Sequence, residues 1–404
     1  MARETARARC VAPLLLLLAY GTQEAKAWLP RYAAPTAPAS ASVNAGVYLC
    51  EEANGPFCEP GPFAITKEAP MVDKALDVRK KGDATVFYSP MAAAANFSMP
   101  VVALICPLYD KTLEEWLENM QRYVQHLASY GFAVLSSTDV ARMGLFPGPE
   151  ALYAKEVFWN LGDHAVEAVE ALRARSDLPF IDASRVGVAG YSVGGSLTIR
   201  MTMEAAARNT PVLAAVALGP TIGSTRAEGG TGGREIFTQG EGASRVTAPL
   251  LLLAGTDDDR GGVDGVDTVY ERFVNAPRVK ALVDGATHCF VAVYGAGCGR
   301  GPRGSCRECE EVSLNGDSVM PVGNGCQNRC TDNDLRTMAA ARQMSAAHFL
   351  LALHPDAGTL PEALQRYREV APAYIWGSAF ERSSPVSLSS VQKDSLDEMP
   401  IAAP

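Results

Sequence analysis

Two hydrophobic periods alternate along the middle of the chain. Val101–Cys106 is a short, unbroken apolar run rich in β-branched residues, which predicts a strand buried on both faces. Directly after it, Leu113, Trp116, Leu117, Met120, Val124 and Leu127 recur at helical spacing, and Gly131 closes that helix. Phe132–Leu135 is the next strand, and Glu150–Ser176 holds a longer helix with Val157, Leu161, Val166, Val169 and Leu172 on one face. The alternation continues as strand Val186–Tyr191, helix Gly194–Arg208, strands Leu213–Gly219 and Leu250–Gly255, helix Asp264–Phe273 and strand Ala281–Val283. Strands of this kind separated by amphipathic helices predict an α/β fold, a mostly parallel sheet with helices on both faces. Ahead of them, Phe63–Glu68 and Thr85–Tyr88 are expected to add antiparallel edge strands. No repeat of 20–50 residues is visible.

The two ends break this pattern. Arg3, Arg7 and Arg9, then apolar Val11–Ala19, then Ala25-Lys26-Ala27 follow the order of a secretory signal peptide over residues 1–27. Residues 28–59 begin with a stretch, Trp28–Cys50, that has no acid and many Ala, Pro and Ser residues. It reads as a flexible linker, or as a transit-like segment of the kind that opens with an aromatic residue in algae with secondary plastids. Secretion and plastid import both stay open. A globular domain is expected over 60–355, a helical extension over 356–380 and a disordered tail over 381–404, where Ser and Pro dominate. The net charge is −9, and losing four bases (Arg3, Arg7, Arg9, Lys26) with two acids (Glu4, Glu24) makes it −11. Without a basic run, nucleic acid is excluded as a partner. No apolar run is long enough to span a bilayer as a helix.

In open α/β sheets ligands bind beyond the carboxyl ends of the strands, so the residues that follow strands carry the most information. Gly190-Tyr191-Ser192-Val193-Gly194 has the G-x-S-x-G spacing between a buried strand and a helix of small residues. That setting exposes a serine at a sharp turn, where glycines let two backbones pass closely. The alternative is a helix-capping serine beside a glycine-rich turn. A serine nucleophile needs a general base, and the base needs an orienting carboxylate. Of five histidines, His126, His164, His348 and His354 fall in or near helices, where packing or surface roles are expected. His288 alone follows a strand, in Gly285-Ala286-Thr287-His288. For the acid, strand Leu250–Gly255 runs into Thr256-Asp257-Asp258-Asp259, and the chain order Ser–Asp–His is that of α/β-hydrolase triads. Asp258 is favoured and Asp257 is the alternative. The backbone N–H of Val193, and that of Tyr109 in Pro107-Leu108-Tyr109-Asp110 after an earlier strand, are the candidate oxyanion donors.

With these residues in place the chain resembles the dienelactone-hydrolase and polyesterase (cutinase-like) branch of the α/β-hydrolases. Chlorophyllases and platelet-activating-factor acetylhydrolases are neighbouring groups. The resemblance covers roughly residues 60–290 plus the helix Asp334–His354. It rests on Gly61-Pro62-Phe63, Cys106-Pro107-Leu108-Tyr109, Leu127-Ala128-Ser129-Tyr130-Gly131-Phe132-Ala133-Val134, the elbow with Gly195, Asp258 and Thr287-His288. It implies the α/β-hydrolase fold, hydrolysis of a small-molecule or lipid ester without a cofactor, and roles for Tyr109 and Tyr191 in lining the substrate cleft. Leu108 stands where the family usually has glycine, and Thr221 where polyesterases have tryptophan, so flat aromatic polyesters are disfavoured. Dienelactone hydrolases proper use a cysteine nucleophile, so Ser192 points to ordinary ester hydrolysis. Chlorophyllases usually place His and Arg where Tyr191 and Val193 stand. Lipases or phospholipase A2-type acylhydrolases and chlorophyllase-like plastid esterases are the competing enzymes. A silent hydrolase fold serving as a Cys-rich binding module is the competitor from another class.

Cysteine usage adds one further feature. Cys50 and Cys58 bracket a Gly-Pro loop and are expected to pair, while Cys106 ends a buried strand. Cys289, Cys298, Cys306, Cys309, Cys326 and Cys330 crowd into a Cys-rich insert, 289–331, directly after His288. Cys306-x-x-Cys309 and Cys326-x-x-x-Cys330 resemble a zinc ribbon in spacing, but six cysteines in an exported chain favour disulfides over metal. Asn96-Phe97-Ser98 is a glycosylation sequon in a loop-like stretch.

Overall fold

The fold is taken from a computed structural model. It describes residues 57–78, 82–105, 113–137, 165–208, 212–220, 241–258, 262–283, 285–286, 288, 332–354, 358, 360–376 and 390–393. All of them belong to the compact unit Asn44–Pro404. Among them, nine strands join in one sheet: β1 Val72–Val78, β2 Gly82–Tyr88, β3 Met99–Ile105, β4 Ala133–Ser137, β5 Ile181–Tyr191, β6 Ala214–Leu218, β7 Leu250–Gly255, β8 Arg278–Val283 and β9 Ser390–Lys393. Their spatial order is β1-β2-β4-β3-β5-β6-β7-β8-β9. The block from β4 to β8 is parallel, and β1, β2 and β9 run antiparallel to their neighbours.

The helices are α1 Pro90–Ala94, α2 Leu113–Ser129, α3 over residues 165–173, α4 Val193–Ala207, α5 Glu241–Arg245, α6 Gly262–Arg272, α7 Asp332–Leu353 and α8 Glu362–Trp376. They cover both faces of the sheet, and β5 makes this plain. A β-carbon on Gly187 would meet Phe349 and Leu353 of α7, whereas one on Gly190 would meet Gly194 and Thr198 of α4. Residues three apart on a strand face opposite sides, so α4 and α7 lie on opposite faces.

Both-face coverage explains why β3, β6 and β7 are apolar and buried at every position. β8 is also buried throughout although it carries Arg278 and Lys280. Their stems are covered while their charged heads find partners on α6. The Arg278 guanidinium lies 4.8 Å from the Tyr270 ring centre, and Lys280 Nζ is 2.6 Å from Asp267 Oδ1. α2 ends where the glycine signal placed its end. The Gly131 N–H bonds the Ala128 carbonyl and the Phe132 N–H the Leu127 carbonyl, with Gly131 at φ 83°. That pair of bonds is a Schellman cap.

The same turn anchors the first described residues and α8. The Gly61 N–H donates to Ser129 Oγ at 2.8 Å, and the Phe63 N–H to the Ser129 carbonyl at 2.9 Å. Tyr130 packs against Phe57 and against Tyr367 of α8, with ring centres 5.5 and 5.1 Å away. Within the span 356–380 lies α8, packed on α7 and on the turn after α2.

Two expectations are corrected. Residues 63–68 form no strand, because their backbone is tied to the α2 end and closed into a turn between Thr66 and Ala69. The edge strand is β1, whose Asp73 and Lys74 are exposed, so it shows no clean apolar alternation; charge of this kind is usual on a sheet edge. The tail, expected to lack structure, supplies β9 at Ser390–Lys393. The outer edge of β8 offers backbone donors and acceptors to any extended segment, whatever its side chains. Among the described residues no helix is long and apolar enough to cross a membrane.

Candidate active site

β5 ends at Tyr191, and the chain turns at once into α4. Ser192 sits at that turn with φ 58° and ψ −123°, a conformation that side chains other than glycine rarely adopt. Gly190 makes the turn possible, since a β-carbon there would fall 2.2 Å from the Gly194 carbonyl oxygen. The Ser192 N–H is held by the Leu218 carbonyl at 2.9 Å, which fastens the turn to β6. Although Ser192 occupies the N-cap of α4, its side chain makes no capping bond. Its hydroxyl lies 2.9 Å from His288 Nε2 instead. The helix-capping alternative therefore does not describe this serine.

On the other side of the imidazole, His288 Nδ1 is 2.9 Å from each carboxylate oxygen of Asp258. All three residues are buried, at 2% exposure for Ser192 and 5% for Asp258 and His288. The carboxylate can only accept, so Nδ1 carries the proton and Nε2 has its lone pair free to accept from the serine hydroxyl. A chain of this kind can take a proton from Ser192 and hold the resulting imidazolium beside a carboxylate. Asp257, the alternative acid, is exposed, and its Oδ1 lies 3.5 Å from Thr256 Oγ1.

The loops that carry Asp258 and His288 are laced together. The Thr256 N–H bonds the Val283 carbonyl at 2.9 Å, and the Asp257 N–H bonds the Ala286 carbonyl at 3.0 Å. In return, the Gly285 N–H donates to Thr256 Oγ1 at 2.8 Å. Sequence reasoning missed Thr256, whose only local signal is a hydroxyl at a strand end.

Tyr191 was expected to line the cleft. It is buried at 4% exposure, its ring centre is 5.2 Å from that of His288, and its hydroxyl donates to the His288 backbone carbonyl. Val193 is the first residue of α4, where N–H groups have no acceptor within the helix. Tyr109, the other expected oxyanion donor, lies outside the described residues, as do Cys50, Cys106, Thr221, His164 and the insert cysteines Cys289, Cys298, Cys306, Cys309, Cys326 and Cys330. Cys58 is described and accepts a hydrogen bond from Gln343 Nε2 at 3.3 Å. Asn96 is exposed in the turn after α1 at φ 53°, and the Oγ of Ser98 in its sequon accepts from Arg185.

The described helical-region histidines are packing residues. Burial pushes His126 down to about 3, with Arg342 adding to the effect, and burial pushes His348 down to about 4. His354 is lowered to about 3 by burial and then by Arg185 and Arg368. Each is neutral at pH 7 and remote in role from Ser192. Among the described residues no group of three or more His, Cys, Asp or Glu side chains could hold a metal ion.

Comparison with known families matches residues 87–303, more than half of the chain, to the dienelactone hydrolase family. The matched span contains Ser192, Asp258 and His288. Comparison with curated proteins gives no match. By its matched span and its mostly parallel sheet, the chain belongs to the dienelactone hydrolase family, hydrolases of the α/β type.

Proposed function

We propose that the protein is a serine carboxylic-ester hydrolase acting through Ser192, His288 and Asp258. The observation that carries this reading is the unbroken hydrogen-bonded chain from Ser192 Oγ through His288 to Asp258, with both links at 2.9 Å. In this mechanism Ser192 Oγ attacks the ester carbonyl while His288 Nε2 takes its proton. His288 then protonates the departing alcohol, leaving an acyl group on Ser192. A water molecule, deprotonated by the same nitrogen, releases the acid and restores the serine. Asp258 keeps His288 in the tautomer that both steps need. The Val193 N–H, with that of Tyr109, stabilises the oxyanion, typically worth about 3–4 kcal/mol per donor.

A small-molecule or lipid ester is the proposed substrate class. Lipase or phospholipase A2-type acylhydrolase and chlorophyllase-like activities are variants of the same chemistry, and they differ only in acyl and alcohol preference. The proposed route is export through the leader at residues 1–27, with disulfides in the insert and plastid import as the alternative destination.

The test is labelling with a fluorophosphonate, followed by an ester panel running from acetyl to long acyl chains. Wild type is expected to label at Ser192 and to hydrolyse part of the panel, while Ser192→Ala does neither. A folded wild type that neither labels nor hydrolyses any ester would sink the reading and leave a catalytically silent binding module.

A further inference from the structure

We propose that Tyr191 is a positioning residue for His288, holding the histidine backbone so that Nε2 stays on the Ser192 hydroxyl. The inference rests on the serine-hydrolase reading above and adds a role for the residue next to the nucleophile.

The imidazole of His288 is fixed at its edge by two bonds, one to Asp258 and one to Ser192. Both contacts act on the ring nitrogens, and neither one holds the His288 backbone. The loop after β8 begins with a turn in which the Ala286 N–H bonds the Val283 carbonyl and Gly285 adopts φ 66°. The described bonds between it and the Asp258 loop involve Val283, Gly285 and Ala286. At His288 itself, the carbonyl accepts from the Tyr191 hydroxyl, and the two ring centres lie 5.2 Å apart with their planes tilted by 31°.

Tyr191 suits this work because it cannot easily move. It is the last residue of β5, paired with Leu218 of β6, and it is almost fully buried. It is also covalently joined to Ser192. Two adjacent residues of one rigid turn thus grip His288 from two sides, one at the backbone and one at Nε2. A displacement of β5 would carry both contacts along, so the distance between nucleophile and base is preserved. Misplacement by about 1 Å can cost on the order of a hundredfold in rate, so such a grip matters to turnover and not to substrate affinity.

The experiment compares wild type with Tyr191→Phe, which keeps the ring and removes only the hydroxyl, and with Tyr191→Leu, which removes both. The readouts are the fluorophosphonate labelling rate, kcat and KM on the best ester of the panel, the unfolding midpoint, and the downfield proton resonance of the His288 Nδ1–H. Tyr191→Phe is expected to slow labelling and lower kcat together by roughly three- to tenfold, the worth of one buried hydrogen bond. KM should be unchanged, and the Nδ1 proton resonance should broaden at a temperature where the variant is fully folded. Tyr191→Leu should lose more in kcat by the same pattern. Equal rates in wild type and Tyr191→Phe would overturn the proposal. So would an effect confined to KM, which would make the hydroxyl a substrate contact. Absence of labelling in wild type would instead remove the serine-hydrolase reading itself, and this inference with it.

Discussion

Gly255 and Ala286 pass so closely that a β-carbon on Gly255 would lie 2.0 Å from the Ala286 carbonyl oxygen. The contact joins the end of β7, which leads to Asp258, with the turn that leads to His288. Both partners are backbone, so neither can rotate away. Gly255→Ala is therefore expected to destabilise the fold by about 1–3 kcal/mol, the usual range for overpacking. It should also depress ester hydrolysis by separating Asp258 from His288. Thermal unfolding and turnover on one ester check this, and an unaffected variant would show that the two loops do not depend on this contact.

The strained backbone of Ser192 has its own signature. Ser192→Ala and Ser192→Gly both delete the hydroxyl, but only glycine adopts φ 58° with ψ −123° without strain. Ser192→Gly is expected to be more stable than Ser192→Ala by about 1 kcal/mol or more. Denaturant midpoints of the two inactive proteins decide it.

The adjacent carboxylates should separate sharply. Asp258→Asn retains the shape of the acid but presents an amide to His288 Nδ1, which favours the wrong tautomer. Turnover should fall by about 10⁴, as for the same change in the serine-protease triad. Asp257 is exposed and faces Thr256, so Asp257→Asn should stay within about twofold of wild type. Comparable activity of the two variants would reject Asp258 as the orienting acid.

Acid sensitivity follows from the packed histidines. His126, His348 and His354 titrate at about 3 to 4 in the folded protein, below the ordinary 6.5, because burial disfavours their charged form. On acidification the unfolded chain takes up these protons first. The stability they contribute is thus complete above about pH 6.5 and is lost as pH falls toward 4. Each imposes a slope of about 1 kcal/mol per pH unit in that window. His348 also meets the Pro249 carbonyl, a partner that glutamine can keep. Urea unfolding at pH 7 and pH 5 should show a smaller loss for His348→Gln than for wild type.

The parallel block of the sheet was legible because its strands are buried on both faces and therefore spelled in unbroken apolar runs. β3 starts two residues before its predicted start, and β7 has its predicted limits. β1 and β9 were not legible. Edge strands need only backbone bonds on one side, and β1 carries charged residues whose spacing mimics a loop.

Within the site, Ser192 and His288 could be read locally, one from the glycines that its turn requires and the other from its place after a strand. Asp258 and Asp257 are chemically identical neighbours, so composition could only rank them. The turn after β7, fastened to Ala286, decides which carboxylate faces the imidazole.

The sequence by itself determined the parallel sheet, the helices that cover it and the turn that presents Ser192, because each follows from periodicity or from sterics among neighbouring residues. Tertiary structure alone decided which carboxylate meets the imidazole, the bond from the Tyr191 hydroxyl to the His288 carbonyl and the recruitment of β9. Those contacts join residues far apart in the chain, Tyr191 and His288 being 97 positions apart. No local pattern encodes a distance that only the packed sheet brings to hydrogen-bond length.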